Sequence, residues 1–393
     1  MRMTKSNRFD TLAPVAFLLL AIIYTFPFLI KLSWWGVRDW DLFTAIAAVP
    51  VRSVLEYGQL PSWNPWMAGG NILFHHPEVG VVSPFFVLNL LLGVVVGLKI
   101  QVLICYWLGF WGSYRMSRTL GQSPAASVLV AVAYFGSVHF AMHFAEGHMP
   151  FTHFAFLPWF VEGVIRSTDN KRYLLWAATA LALMILGNGA AVPFLYTMTF
   201  CGLLFLLWDI KAGSARLLPK FVSAAVLGVG ISAIKLVPMT LYLMENSWTG
   251  NPSESVPLSA LGSIFFGWDH SLFSQNFDGQ IWAWHEYGAF LFPLTLILGA
   301  WGLTRRFSSH WPWLVVIVFF FVFGLGDFGV FSPWQLLSHL PGFDALRCSG
   351  RSFQFVILGV SVLAGFGLDD FAGRLRTEHA RVISWVCCLL VLA

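Results

Sequence analysis

Residues 13–41, APVAFLLLAIIYTFPFLIKLSWWGVRDWD, decide the fold. Ala13 to Leu32 is an apolar run of about the length a helix needs to cross a bilayer. Arg2, Lys5 and Arg8 precede it, and Arg38-Asp39-Trp40-Asp41 follows it. A basic end and an acidic, tryptophan-bearing end therefore flank the first span. No small-residue cleavage pattern follows the run, so it reads as a retained span and not as a removed leader.

The same polarity repeats along the chain. Sixteen of the 23 Lys and Arg residues fall in six clusters: Arg2/Lys5/Arg8, Arg115/Arg118, Arg166/Lys171/Arg172, Lys211/Arg216/Lys220, Arg305/Arg306 and Arg374/Arg376/Arg381. Each occupies every second gap between apolar segments. Short basic loops stay on the cytoplasmic side, so this alternation sets a topology with the N-terminus inside. Carboxylates, among them Asp39, Asp41, Glu78, Glu146, Glu254, Glu286, Asp327 and Asp344, take the other gaps or their edges, with most of the histidines. Chemistry belongs on that second, outward side.

Composition agrees: 58% of residues are hydrophobic, 11% are charged and mean hydropathy is +0.72, outside the range of a soluble domain. The net charge of +4 is explained by membrane anchoring, so nucleic acid is not the expected partner. Cys105, Cys201, Cys387 and Cys388 lie in apolar runs and Cys348 stands alone in an outward loop. No disulfide framework and no Cys-based metal site is expected.

At about 20 apolar residues per crossing, spans are predicted near 13–32, 99–117, 125–143, 151–166, 173–189, 190–208, 220–241, 286–304, 311–326 and 353–372. An eleventh begins at residue 383, and the chain stops at Ala393 about half a crossing later, as a truncated C-terminus would. The stretch 79–98 is long enough to cross, but doing so would turn thirteen of the clustered basic residues outward. It is therefore expected to be a re-entrant or interfacial segment, which Pro84 also favours. The result is an all-α polytopic membrane protein, one transmembrane domain over residues 1–393. Its outward loops 33–98, 242–285 and 327–352 form the candidate active face, since long loops usually carry function.

Several groups there could carry chemistry. Asp39 and Asp41 suit a general base or a divalent cation; they also read as solvated acids partnered by Arg38. His139 and His143 share a helix face, and with Glu146 they offer ligands for a divalent metal ion, with His148 available for substrate. Lys235, inside an apolar run, either snorkels to the interface or faces a phosphate, and Glu286 is its candidate partner. Arg347 and Arg351 face outward against the charge bias and match phosphate oxygens, whether of a substrate or of an anionic lipid. No P-loop, dinucleotide fingerprint or nucleophile elbow occurs.

Further pieces fall in one order. Leu60-Pro-Ser-Trp-Asn-Pro-Trp-Met-Ala-Gly-Gly70 follows the acidic pair, then Ile234-Lys-Leu-Val-Pro238, Glu286-Tyr-Gly288, Leu340-Pro-Gly-Phe-Asp-Ala-Leu-Arg347, Arg351-Ser-Phe353 and Leu363-Ala-Gly-Phe-Gly-Leu-Asp369. Together they resemble the bacterial YfhO-type membrane proteins, relatives of the GT-C glycosyltransferases. The resemblance implies a GT-C bundle of about eleven transmembrane helices in the bacterial cytoplasmic membrane, with its active site at the periplasmic or extracellular face. It implies a polyprenyl-phosphate sugar as donor, Asp39 or Asp41 as catalytic acid residue, and Arg347 and Arg351 at the donor. Trp63, in the Trp-rich first loop, can offer a stacking face to a sugar ring. Two other classes fit the same residues: a transporter or flippase of a polyprenyl-linked or other anionic lipid, and a non-catalytic envelope-assembly protein.

Overall fold

The structure is a computed structural model that describes residues 8–67, 69–74, 76–246, 254–267, 277 and 280–392. Arg2 and Lys5 and the Asn251-Pro252 and Trp268-Asp269-His270 motifs lie outside the described residues. Those described form seventeen α-helices and one two-stranded hairpin.

α1 (Arg8–Leu29) carries the first apolar run. α2 (Asp39–Leu55) places Asp39 and Asp41 in its first turn, where carboxylates favour the positive end of the helix dipole. The hairpin follows, β1 (Trp63–Asn64) antiparallel to β2 (Asn71–Ile72), with Trp63 opposite Ile72. α3 (Phe86–Leu92) has only seven residues, about 10 Å of helix, and cannot cross a bilayer. Gly93, at φ 79°, reverses the chain directly into α4 (Val94–Thr119), and Gly97 lets the backbone of Asn89 approach closely. The 79–98 stretch is thus a folded-back segment and not a span.

α5 (Pro124–Phe135) starts at a Ser123 cap whose hydroxyl accepts from the Ala126 N–H. α6 (Val138–Glu146) continues it after a 40° bend. A 3₁₀ segment over Met149–Phe156 then leads into α7 (Leu157–Arg166), α8 (Arg172–Leu186) and α9 (Val192–Ala212). α10 (Leu217–Ile231) and α11 (Ala233–Glu245) meet at Ser232 with an 83° bend. α12 (Leu261–Phe266), α13 (Pro293–Arg305), α14 (Phe307–Gly324), α15 (Pro333–Ser338), α16 (Phe353–Ala372) and α17 (Thr377–Leu392) complete the chain.

Five of these helices are long and apolar enough to cross a membrane, or up to seven if each bent pair counts as one span. The protein is a multi-pass membrane protein. The expected count of about eleven is not reached by length and composition, because several apolar stretches are divided. Residues 151–166 become a 3₁₀ segment plus a ten-residue helix, and 286–304 a turn, a gap and a thirteen-residue helix. Glu286 therefore sits in the turn Trp284–Glu286 and does not open a span.

The two chemical ends foreseen from charge are present in space. At one end, Asp10 accepts from the Tyr114 hydroxyl (2.7 Å) and the Arg118 Nε (3.0 Å), and Glu162 binds Arg115 (2.8 Å) and Arg166 (2.7 Å). Asp370 there pairs with Arg374 at 3.0 Å, and Lys211 donates to the Ser309 carbonyl at 2.6 Å. The opposite end gathers Asp39, Glu146, His148, Glu286 and Arg351.

Between the ends, α13 and α16 touch backbone to backbone. A Cβ on Gly367 would lie 1.9 Å from the Leu298 carbonyl oxygen, and one on Gly302 would lie 2.3 Å from that of Leu363. Small residues at such a crossing allow the close packing that joins helices within lipid. Gly367→Val is expected to push the two helices apart and destabilise the folded protein by about 1–3 kcal/mol, read as a lowered melting temperature in detergent. Gly230→Val, where a Cβ meets nothing within 4 Å, is the control expected to leave melting unchanged.

Candidate functional site

Asp39 is held at the start of α2 by an unusual backbone. Arg38 before it has φ 53°, the only non-glycine residue among those described in the left-handed region. Such a conformation is costly and persists where surrounding contacts impose it. Those contacts are visible: Arg38 Nη1 binds Glu146 Oε1 at 3.1 Å, and the Trp40 indole N–H donates to the Ala145 carbonyl at 3.1 Å. Gly147, at φ 97°, lets the Trp40 backbone lie against α6.

From this anchorage the half-buried Asp39 carboxylate meets His148 Nε2 at 2.8 Å. That hydrogen bond, with the charges of His148 and His285, holds the Asp39 carboxyl below its usual range. His148 Nδ1 lies 2.9 Å from His143 Nδ1, so one of the two rings donates to the other. The His143 ring stacks on Phe151 at 3.5 Å between centroids. His285 stands across from His148, ring centroids 4.6 Å apart and perpendicular.

Beneath the imidazoles, Glu286 and Arg351 form a bidentate pair: Arg351 Nε donates to Oε2 at 2.7 Å, and Nη2 to Oε1. Burial alone would raise the Glu286 carboxyl, but the guanidinium charge and its hydrogen bonds prevail and hold it well below the carboxylate range. The Arg351 guanidinium also lies over the Phe151 ring at 5.5 Å.

Behind this pair is a second buried carboxylate. Glu254 accepts from the Tyr287 hydroxyl and from the Ser349 N–H (3.1 Å), with Cys348 Sγ at 4.0 Å. Its own carbonyl accepts from the Asp327 N–H at 2.6 Å. One residue thus joins the second and third outward loops to the turn that bears Glu286. Burial pushes its carboxyl up to about 7.

The residues singled out from the sequence separate accordingly. Asp39, His143, Glu146, His148, Glu286 and Arg351 come together. Asp41 is exposed, with no side-chain partner among the described residues, because the helical turn carries it away from the cluster. Trp63 is exposed on the hairpin, its ring against Gly70. Arg347 is exposed, though its charge reaches Glu78, which also feels Arg351, His148 and Asp39. Lys235 neither snorkels nor pairs with Glu286. It is fully buried and donates to the carbonyls of Val79 (2.9 Å), Pro77 (3.3 Å) and Gly187, an ammonium satisfied by backbone at the α10–α11 bend.

The expected metal set is also redrawn. Among the described residues the convergent group is His143, His148, His285 and Glu286, with one donor atom of each within 4.8 Å of the others. His139 lies deeper, its ring 4.6 Å behind that of His143, and Glu146 turns to Arg38. His143 Nε2, His285 Nδ1 and Glu146 Oε2 are buried without a hydrogen bond among the described residues, held only by longer contacts of 4.0 Å from His143 to Glu286 and 3.9 Å between His285 and Glu146. Three imidazoles and a carboxylate suit zinc or a similar divalent ion at bond lengths of about 2.0–2.2 Å, so the donors fit such an ion after a modest contraction. His285 and Glu254 were the functional neighbours least evident in sequence. The adjacency His285-Glu286 was the available signal for the first, and none marked the second.

The helices, their apolar spans and the loops that build this site form an all-α, multi-pass membrane fold. The fold is similar to that of the crystal structure of ArnT from Cupriavidus metallidurans bound to undecaprenyl phosphate, with TM-score 0.53 and 15% identity over 96% of this chain and 62% of that one. The chain thus spans just under two thirds of the length of that structure. No family model and no curated protein matches the sequence.

Glu254 makes a pH signature. An acid whose folded-state pKa lies above its unfolded value favours the folded state when protonated. That advantage is present at low pH and is lost as pH rises from the ordinary value of 4.5 through about 7. Glu254→Gln, which keeps an acceptor for Ser349, is expected to melt close to wild type at pH 5 and several degrees above it at pH 8. Parallel melting curves across that range would refute the buried-acid assignment.

Proposed function

We propose that this protein is a membrane glycosyltransferase that moves a sugar from a polyprenyl-phosphate donor to an envelope glycan, lipid or protein acceptor at the outward face of the bacterial cytoplasmic membrane. The observation that carries the reading is the joining, in one cluster, of a half-buried carboxylate on an imidazole (Asp39–His148) with a buried guanidinium (Arg351) on a carboxylate. The cluster sits on a fold shared with a protein whose crystal structure holds undecaprenyl phosphate.

A lipid-phosphate sugar brings its leaving group to the headgroup level, so no nucleotide-binding fold is required. Asp39, ionised and aligned by His148, accepts the proton of the acceptor hydroxyl as that oxygen attacks the anomeric carbon. The bond from that carbon to the phosphate oxygen breaks, and Arg351, oriented by Glu286, meets the charge that develops on the departing phosphate. Arg347 adds positive charge at the rim. A single displacement of this kind inverts the anomeric configuration. A divalent ion held by His143, His148, His285 and Glu286 would supply further charge neutralisation.

Asp39→Asn is expected to lower kcat about 10²- to 10⁴-fold with purified protein and a polyprenyl-phosphate sugar, while Asp41→Asn stays near wild type. Full activity in Asp39→Asn removes it as base. Translocation of the lipid without any sugar transfer would favour the transporter reading instead.

The metal assignment is tested by elemental analysis of the purified chain. One divalent ion per chain is expected, falling below half occupancy in His143→Ala and His285→Ala and unchanged in His139→Gln. Retention in all three variants refutes this ligand set.

A further inference from the structure

The turn from His76 to Val79 has two faces. On one, Glu78 lies within electrostatic range of Arg351, His148, Arg347 and Asp39. On the other, His76 and Pro77 line a separate cavity of about 250 Å³, walled by Asn71 and Ile72 of the hairpin and by Tyr242, Leu243 and Asn246 at the end of α11. Neither this cavity nor its lining enters the chemistry above.

The lining is selective in kind. Among the described residues it offers two carboxamides, a phenol and an imidazole, set among the apolar surfaces of Ile72 and Leu243, and no lysine or arginine; the Asn246 amide nitrogen donates to the Tyr242 carbonyl at 3.0 Å, which leaves its side-chain oxygen as an acceptor. His76 Nδ1 accepts the Glu78 N–H at 3.2 Å, which assigns the ring proton to Nε2 and makes that edge a donor. Ile72 N–H takes the Asn71 side-chain oxygen at 2.8 Å, which turns the Asn71 amide into a donor as well. Neutral donors and acceptors set among apolar faces, with no cation among the described lining residues, suit a molecule with many hydroxyls and no charge. The volume is enough for a single ring.

The cavity is also fixed in place. Lys235 clamps the carbonyls on both sides of Glu78, Pro77 and Val79, and belongs to the same helix that supplies Tyr242 and Asn246. The bend at Ser232 turns that helix across the first loop. Lys235 thus ties the helix that supplies part of the pocket wall to the backbone on both sides of Glu78.

We propose that this cavity is a neutral monosaccharide subsite that holds a sugar ring one turn of backbone away from the reacting centre. The inference deepens the glycosyltransferase reading and rests on it for the link to transfer. The ring can belong to the acceptor glycan or to the donor.

The test is equilibrium binding of neutral methyl glycosides to the full chain in lipid nanodiscs, followed by calorimetry or ligand-observed NMR, beside transfer kinetics. Tyr242→Phe and Asn246→Ala each remove about one neutral hydrogen bond and are expected to weaken binding roughly 3- to 10-fold, while Asp41→Asn leaves binding unchanged. A raised KM for the acceptor alone assigns the ring to the acceptor; a raised KM for the donor alone assigns it to the donor. Binding lost in the pocket variants when even wild type transfers no sugar supports the subsite and overturns the reaction. Absence of glycoside binding to wild type, or binding unaltered in both variants, overturns the subsite.

Discussion

The half of the molecule that carries the candidate site depends on one buried ion pair, Arg351 with Glu286. It fastens the turn before α13 to the turn before α16, two segments 65 residues apart in the chain. Taking both charges out of water is expensive, and removal of either partner would leave the other buried and uncompensated. Phe151 supports the guanidinium from one side, His285 and His143 approach the carboxylate from the other, and Glu254 braces both turns from behind. A hydrophobic pair would hold the same turns at less cost. Under the glycosyltransferase proposal, a charge kept at this position suits an anionic phosphate.

A second constraint acts from the first loop. Strain at Arg38 and the close approach of Trp40 to Gly147 commit Asp39 to a single direction, towards His148. The two carboxylates of the Asp-Trp-Asp sequence are equivalent on paper and unlike in space: one joins an imidazole chain and the other meets solvent. Their separation follows from helical geometry, since residues two apart on a helix point in different directions.

The parts of the fold that follow from local chemistry were legible in the sequence. The apolar runs became helices, the described residues of the basic clusters lie at one end, and the 79–98 stretch turns back at Gly93, in keeping with Pro84 and the Gly/Pro-rich stretch before it. What was not legible depended on distant packing. Lys235 finds carbonyls from residues 77, 79 and 187, and no pattern around it names them. The partition of apolar stretches into short helices was hidden for a related reason: hydropathy does not register breaks that neighbouring helices satisfy. In the site, the sequence names Asp39, His148, Glu286 and Arg351, which the fold brings together, but it does not show how they pair. Glu286 was matched with Lys235, and the imidazole group was drawn around His139 and Glu146 instead of His285.

All five cysteines are unpaired and buried, including Cys348, the one that borders the outward loops. The native chain therefore shows little thiol to a water-soluble maleimide. A cysteine introduced at the exposed Asp344 would be the first thiol such a reagent meets. Its labelling in intact cells, set against labelling in inverted vesicles, would reveal which compartment that loop inhabits without disturbing a natural residue of the core.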